Sequence, residues 1–222
     1  MKKFDKNRSI ILFFMVVLLA GFLFKIPFAQ ANNGNWETFY IKDVGWIDFP
    51  PTMELQSAEY RTKAGVKTLA NKTIFQQKGL NQNIYESHFK YVRLIVELTS
   101  GKEGDFLRVT DADDILGTSN EELKELGDYF FDLFKTQQIK IIEWYGAKTV
   151  KLNNGYAALM LAFKREGATS SPVQGPVIVR QYLIQNNKQM ISITISYRAQ
   201  EEELWKDDLL KAVNSFKLAN IF

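Results

Sequence analysis

The stretch VIVRQYLIQNNKQMISITISYR, residues 177–198, decides the fold. Val177 to Gln185 is rich in β-branched residues, Asn186-Asn187 tolerates the backbone of a tight turn, and Met190 to Arg198 returns. The return strand alternates with period two. Ile191, Ile193, Ile195 and Tyr197 fall on one face, and Ser192, Thr194, Ser196 and Arg198 on the other. One face is core and the other is polar, and a hairpin demands antiparallel pairing.

The flanking sequence extends this pattern. Upstream, Lys148 to Leu152 and Tyr156 to Lys164 enclose Asn153-Asn154-Gly155, a second hairpin signature separated from the first by the loop Gly167 to Pro176. Before it, Ser119 and Glu122 form a capping box, and Leu123, Leu126, Phe130 and Phe134 recur at helical spacing. After residue 198, Trp205, Leu209, Ala212, Val213 and Phe216 stripe a closing helix from Glu201 to Phe216. Toward the N-terminus, Trp36 to Phe49 reads as a strand or hairpin stopped by Pro50-Pro51, and Thr73 to Gln77 as a short strand. Phe89 to Leu98 is apolar on both parities and is expected to be a central strand covered on both faces. No internal repeat is present. The order predicts a single α+β domain over residues 32–222, a central antiparallel sheet flanked by helices as an α/β/α sandwich.

The first 31 residues have the composition of an export signal. Lys2, Lys3, Lys6 and Arg8 precede an apolar run from Ile10 to Phe24, and Ala29-Gln30-Ala31 supplies the small-x-small pattern of a cleavage site. The run is 15 residues, short of the roughly 20 that span a bilayer as a helix. Cleavage after Ala31 is the expectation; the alternative is an uncleaved anchor whose Lys25 snorkels. The whole chain carries 28 basic and 25 acidic residues, but five of the basic ones lie in the leader, so the remainder is close to neutral. The charge therefore gives no support to nucleic-acid binding. There is no cysteine, which removes disulfides and lipid attachment through a lipobox.

The same absence removes cysteine nucleophiles. His88 is the single histidine, there is no Gly-x-Ser-x-Gly elbow, and a surface or strand-edge position is expected for it. Zinc would lack its usual nitrogen and sulfur ligands, and no cofactor is expected. Asp111, Asp113 and Asp114 form the densest carboxylate cluster, a weak calcium candidate without the glycine and twelfth-position Glu of an EF-hand loop. Glu97, Glu103, Asp105 and Glu143 would have to converge from distant segments to serve a carboxylate-dependent hydrolase.

The polar side of the sheet is the stronger candidate. Arg198, Thr194 and Ser196, with Arg180 and Tyr182 on the neighbouring strand and Arg93, supply forked donors and aromatic edges for an anion or a protein carboxylate; the alternative is a solvated or helix-covered face with structural ion pairs. Trp144 and Tyr145, in a predicted loop between the capped helix and the Lys148 to Lys164 hairpin, are either interface anchors or core. Asn71-Lys72-Thr73 matches a glycosylation sequon, read as chance in a chain with a bacterial-looking leader.

Gly45-Trp46-Ile47-Asp48-Phe49-Pro50, Arg180-Gln181-Tyr182 before a hairpin, Ser196-Tyr197-Arg198 at a strand end, and Trp205 with Ser215-Phe216 in the last helix together resemble the PsbP/Mog1-like family. The resemblance spans roughly residues 43–218 and implies an antiparallel sheet between helices. It also implies a non-enzymatic binding or assembly factor, as in lumenal extrinsic subunits of photosystem II or partners of a nuclear GTPase. Neither role transfers directly: cyanobacterial members attach lipid through a cysteine absent here, and an exported protein does not meet a nuclear GTPase. No catalytic residue carries over. The expectation is an exported accessory protein that engages a protein or envelope component, touching a membrane only through an uncleaved leader. A secreted hydrolase and a calcium-dependent module are the alternatives.

Overall fold

Counting outward from the turn Asn187-Lys188, β8 (Val177–Asn186) and β9 (Gln189–Arg198) pair antiparallel from Asn186↔Gln189 to Val177↔Arg198. Asn187 takes the positive φ of 59° that the turn requires. The computed structural model describes residues 35–63, 71–108, 112–167 and 175–219; the leader, Asp111 and most of the loop after Gly167 lie outside the described residues. Around this hairpin stand β1 (Glu37–Ile41), β2 (Gly45–Phe49), β3 (Met53–Leu55), α1 (Ala58–Lys63), β4 (Lys72–Gln77) and β5 (Val92–Ser100). They are followed by α2 (Ala112–Leu116), α3 (Asn120–Thr136), β6 (Ile141–Lys151) and β7 (Ala157–Arg165), and the chain closes with α4 (Glu202–Ser215) and β10 (Lys217–Leu218).

The large sheet has the order β3-β4-β5-β9-β8-β7-β6, antiparallel at every pair. A second sheet, β1-β2-β10, joins the N-terminal hairpin to the C-terminus. Gly45 makes that junction: at φ 150° its Cα faces the Lys217 carbonyl so closely that a Cβ would collide with it. This is an α+β domain with helices on both faces of a central antiparallel sheet, as the hairpins and helical stripes predicted.

The first face is the main core. Val92, Leu94 and Val96 of β5, Ile191, Ile193, Ile195 and Tyr197 of β9, and Ile178 and Ile184 of β8 pack under α4 through Trp205, Leu209, Val213 and Phe216. The small sheet closes the same core with Ile47 and Phe49, whose ring lies 4.7 Å from Phe75. On the second face α3 lies over β6 and α2 over β7 and β6. Phe130, Leu133 and Phe134 meet Leu161, Phe163, Val179 and Leu183 there, with Trp144 against Phe134 and Phe163. The capping box at Ser119 is formed, the hydroxyl accepting from Glu122 N–H while the Glu122 carboxylate accepts from Ser119 N–H.

Four local expectations change. Phe89 to Tyr91 precede β5 rather than belong to it, and Ile95 is only half-buried, because the second face of this central strand is polar. Trp144 and Tyr145 lie inside the edge strand β6, which begins earlier than the turn signature indicated and is bulged beside both residues. Trp144 is half-buried in the aromatic cluster, whereas Tyr145 is exposed and donates to Glu143 at 3.0 Å. The short elements β3, α1, α2 and β10 carry too few residues for a periodic signal.

His88 is the fourth change: it is buried, not superficial. Nε2 meets Asn83 Oδ1 at 3.2 Å, Nδ1 has no partner, and burial together with nearby Arg198 pushes its pKa down to about 3. The folded protein thus holds a neutral imidazole that the unfolded chain protonates below about pH 6.5. Because the folded value is the depressed one, this group's stabilisation is present above pH 6.5 and is lost progressively as the pH falls toward 3. The slope is at most about 1.4 kcal/mol per pH unit. Urea unfolding at pH 7 and pH 4.5 should show a smaller loss for His88→Gln than for wild type; equal losses would mean that His88 is charged in the folded state.

Candidate functional site

The second face has two halves. Over β6, β7 and β8 it is apolar, with α3 against β6 and α2 against β7 and β6; over β4, β5 and β9 it is polar, because register brings polar side chains into successive cross-strand rows. One row holds Gln76, Arg93 and Ser196; the next Ile74, Ile95, Thr194 and Gln181; the next Lys72, Glu97 and Ser192. Gln76, Gln181, Ser192, Ser196, Glu97 and Arg198 are buried, while Thr194, Ile95 and Arg93 remain half-buried. The expected polar face exists, and much of it is buried rather than wet.

Arg180 and Tyr182 do not belong to it. Arg180 pairs with Ile195 and Tyr182 with Ile193, so both lie on the main-core face. Arg180 reaches Glu202 of α4 at 3.6 Å, Tyr197 donates to the same carboxylate at 3.3 Å, and burial raises Tyr182 and lifts Tyr197 to about 12. These contacts tie α4 to the sheet. Arg198 is on the polar face by register but turns to its end, donating to Phe89 O at 2.6 Å and Glu201 Oε1 at 3.1 Å. Glu201 also accepts from Tyr91 N–H at 3.0 Å and Trp205 Nε1–H at 2.9 Å, joining β5, β9 and α4.

Two residues missed in the sequence complete that end, Tyr91 and Arg165. Tyr91 stands beside Arg198, and Arg165 ends β7 on the parity of Leu161 and Phe163. Arg165 Nη2 donates to the Tyr91 hydroxyl at 3.4 Å, which lies 3.5 Å from Ser196 Oγ, and the Arg93 guanidinium sits 5.0 Å from the Tyr91 ring centroid. Burial alone would raise the Tyr91 pKa, but Arg165 and Arg93, with the hydrogen bonds from Ser196 and Arg165, outweigh it and hold the phenol below its ordinary value. Arg93 Nη1 donates to Gln77 Oε1 and Val92 O, each at 2.7 Å, and has no carboxylate partner among the described residues. The parity of Tyr91 with Arg93 was the signal available in the sequence.

At the other end Lys72 Nζ pairs with Glu97 Oε2 at 3.0 Å, with both side chains nearly excluded from solvent. Glu97 Oε1 and Thr99 Oγ1 are buried without partners, and burial raises the Glu97 pKa against the opposing effect of Lys72. At the β3–β4 edge, by contrast, Gln56, Gln76, Glu54 and Asn81 satisfy one another, which makes that network structural.

The other candidates separate. Asp113 and Asp114 are exposed at the start of α2 and Asp111 lies outside the described residues; among the described residues no three His, Asp or Glu side chains converge as metal ligands. Glu97 is bound to Lys72, Asp105 accepts from Lys102 N–H at 2.6 Å, and Glu143 pairs with Lys164 at 2.8 Å, so these acids serve different places. Asn71 of the sequon donates to Leu98 O at 2.9 Å. Among the described residues no helix is long and apolar enough to cross a membrane.

No protein-family model and no curated protein sequence matches the chain. Solved structures do. Cyanobacterial PsbP from Synechocystis is similar over 86% of this chain and 97% of its own, with TM-score 0.46 and 13% identity. A Bacteroides thetaiotaomicron protein is similar over 82% of this chain with TM-score 0.45 and 6% identity, and this chain spans about half its length, 48%. A Pseudomonas aeruginosa protein of unknown function covers 84% of this chain and 99% of its own, with TM-score 0.41 and 10% identity. The site has to be read from its own residues.

Proposed function

We propose that the chain is an exported, non-enzymatic binding protein of the cell envelope or extracellular space that holds an anionic group, the carboxylate of a protein or peptide, at the Tyr91, Arg93, Arg165 and Ser196 end of its polar face. The observation that carries this reading is Arg93, a half-buried guanidinium with only neutral acceptors among the described residues, beside a tyrosine that two arginines make more acidic. Forked guanidinium donors and a hydroxyl suit a carboxylate, and a partly desolvated site strengthens the pairing. Export rests on the basic, apolar and small-x-small pattern of residues 1–31.

Arg93→Gln removes the charge and retains a donor. It should leave the melting temperature near wild type and weaken binding of N-acetyl-tetra-alanine, a probe with one free carboxylate, by at least about tenfold in calorimetry. Material collected outside the cytoplasm should begin at Asn32. Unchanged affinity would overturn the anion site, and retention of the chain in the cytoplasm would overturn export.

A further inference from the structure

The polar face also has an unsatisfied point, of acidic character. Glu97 Oε1 and Thr99 Oγ1 are unpartnered acceptors on neighbouring same-face positions of β5, and the residues containing them are 6% and 7% exposed. An acceptor buried without a partner costs free energy unless something donates to it. Solvent reaches the face immediately beside them, at Ile95 and Thr194 in the adjoining row. Glu97 Oε2 is already engaged by Lys72, so Oε1 is the carboxylate oxygen left without a donor.

The two ends are a fixed distance apart. Arg93 and Glu97 lie on the same face of one strand, four residues from each other, which at about 3.3 Å per residue is roughly 13 Å. An extended peptide advances about 3.3–3.6 Å per residue, so four residues span that distance. Between the ends lie Ile95 and Thr194, both half-buried and therefore able to contact a backbone laid across them.

Resting on the reading of the Arg93 end as a carboxylate site, we infer that the polar face takes a short zwitterionic peptide of about four residues, its C-terminal carboxylate at Arg93 and Arg165 and its N-terminal ammonium at Glu97 and Thr99. An ammonium brings three donors, enough for Oε1 and the Thr99 hydroxyl together. Recognition then runs through the two termini and the length between them, with little demand on side chains.

Calorimetry on the mature chain with tetra-alanine, N-acetyl-tetra-alanine, tetra-alanine amide and di-alanine tests this. Tetra-alanine should bind tightest, with each singly blocked form weaker by at least about tenfold and di-alanine no better than the blocked forms. Glu97→Gln, which keeps size and removes charge, should lose the advantage of tetra-alanine over N-acetyl-tetra-alanine and leave the acetylated peptide unaffected; Thr99→Val should reduce the same advantage. Equal binding of free and acetylated peptide to wild type would overturn the ammonium site and leave the carboxylate site standing. Equal binding of acid and amide would overturn the carboxylate site, and no binding of any peptide would overturn both.

Discussion

Glu201→Ala should destabilise the protein by about 3–5 kcal/mol, measured by urea unfolding. The Arg198 side chain is only 5% exposed and pairs with Glu201 at 3.1 Å; removing that carboxylate takes an ionic partner from a buried guanidinium. Two more donors lose their acceptor at once, Tyr91 N–H and Trp205 Nε1–H. The joint held by this residue is where β5, β9 and α4 meet, and Tyr91 is also part of the proposed anion site. Glu201→Gln keeps one oxygen and should cost clearly less than alanine. A loss below about 1 kcal/mol for alanine would show that Glu201 is a surface ion pair of the ordinary kind.

Phe134→Ala should cost a similar amount, about 3–5 kcal/mol, for a different reason. Its ring is 1% exposed, 4.8 Å from Phe163 and 6.2 Å from both Trp144 and Phe130, so truncation leaves a cavity between α3 and the sheet. Because α3 covers the apolar half of the face whose other half is the site, the same variant should loosen the neighbouring polar rows. Tryptophan fluorescence, through Trp144, should report the opening before global unfolding. A Phe134→Leu variant, which refills much of the volume, should recover most of the loss; if alanine costs less than leucine, the ring is not packed as described.

The two hairpins, the capped helix and the closing helix were legible because each is long enough for periodicity to speak. The alternation of Ile191 to Arg198 separated core from polar face residue by residue, and the structure keeps that separation. The site was legible only in part. Arg180 was assigned to the wrong face because its parity within β8 has no meaning until the register with β9 is known, and register follows from the turn at Asn187-Lys188. Tyr91 and Arg165 were missed because they stand at strand ends, where residue type carries little signal and only the neighbouring strands give them a common place. Glu97 appeared as one acid among several; its significance comes from burial and an unpartnered oxygen, properties of the folded chain.

The central claim is that the Arg93 end of the polar face holds a carboxylate. The most direct measurement follows the arginine Nε–H resonances of Arg93 and Arg165 and the ring signals of Tyr91 by NMR, during titration with N-acetyl-tetra-alanine and separately with N-acetyl-tetra-alanine amide. The account predicts saturable shifts at all three residues with the acid and none of comparable size with the amide. Shifts that are absent with the acid, or the same with both peptides, would contradict it.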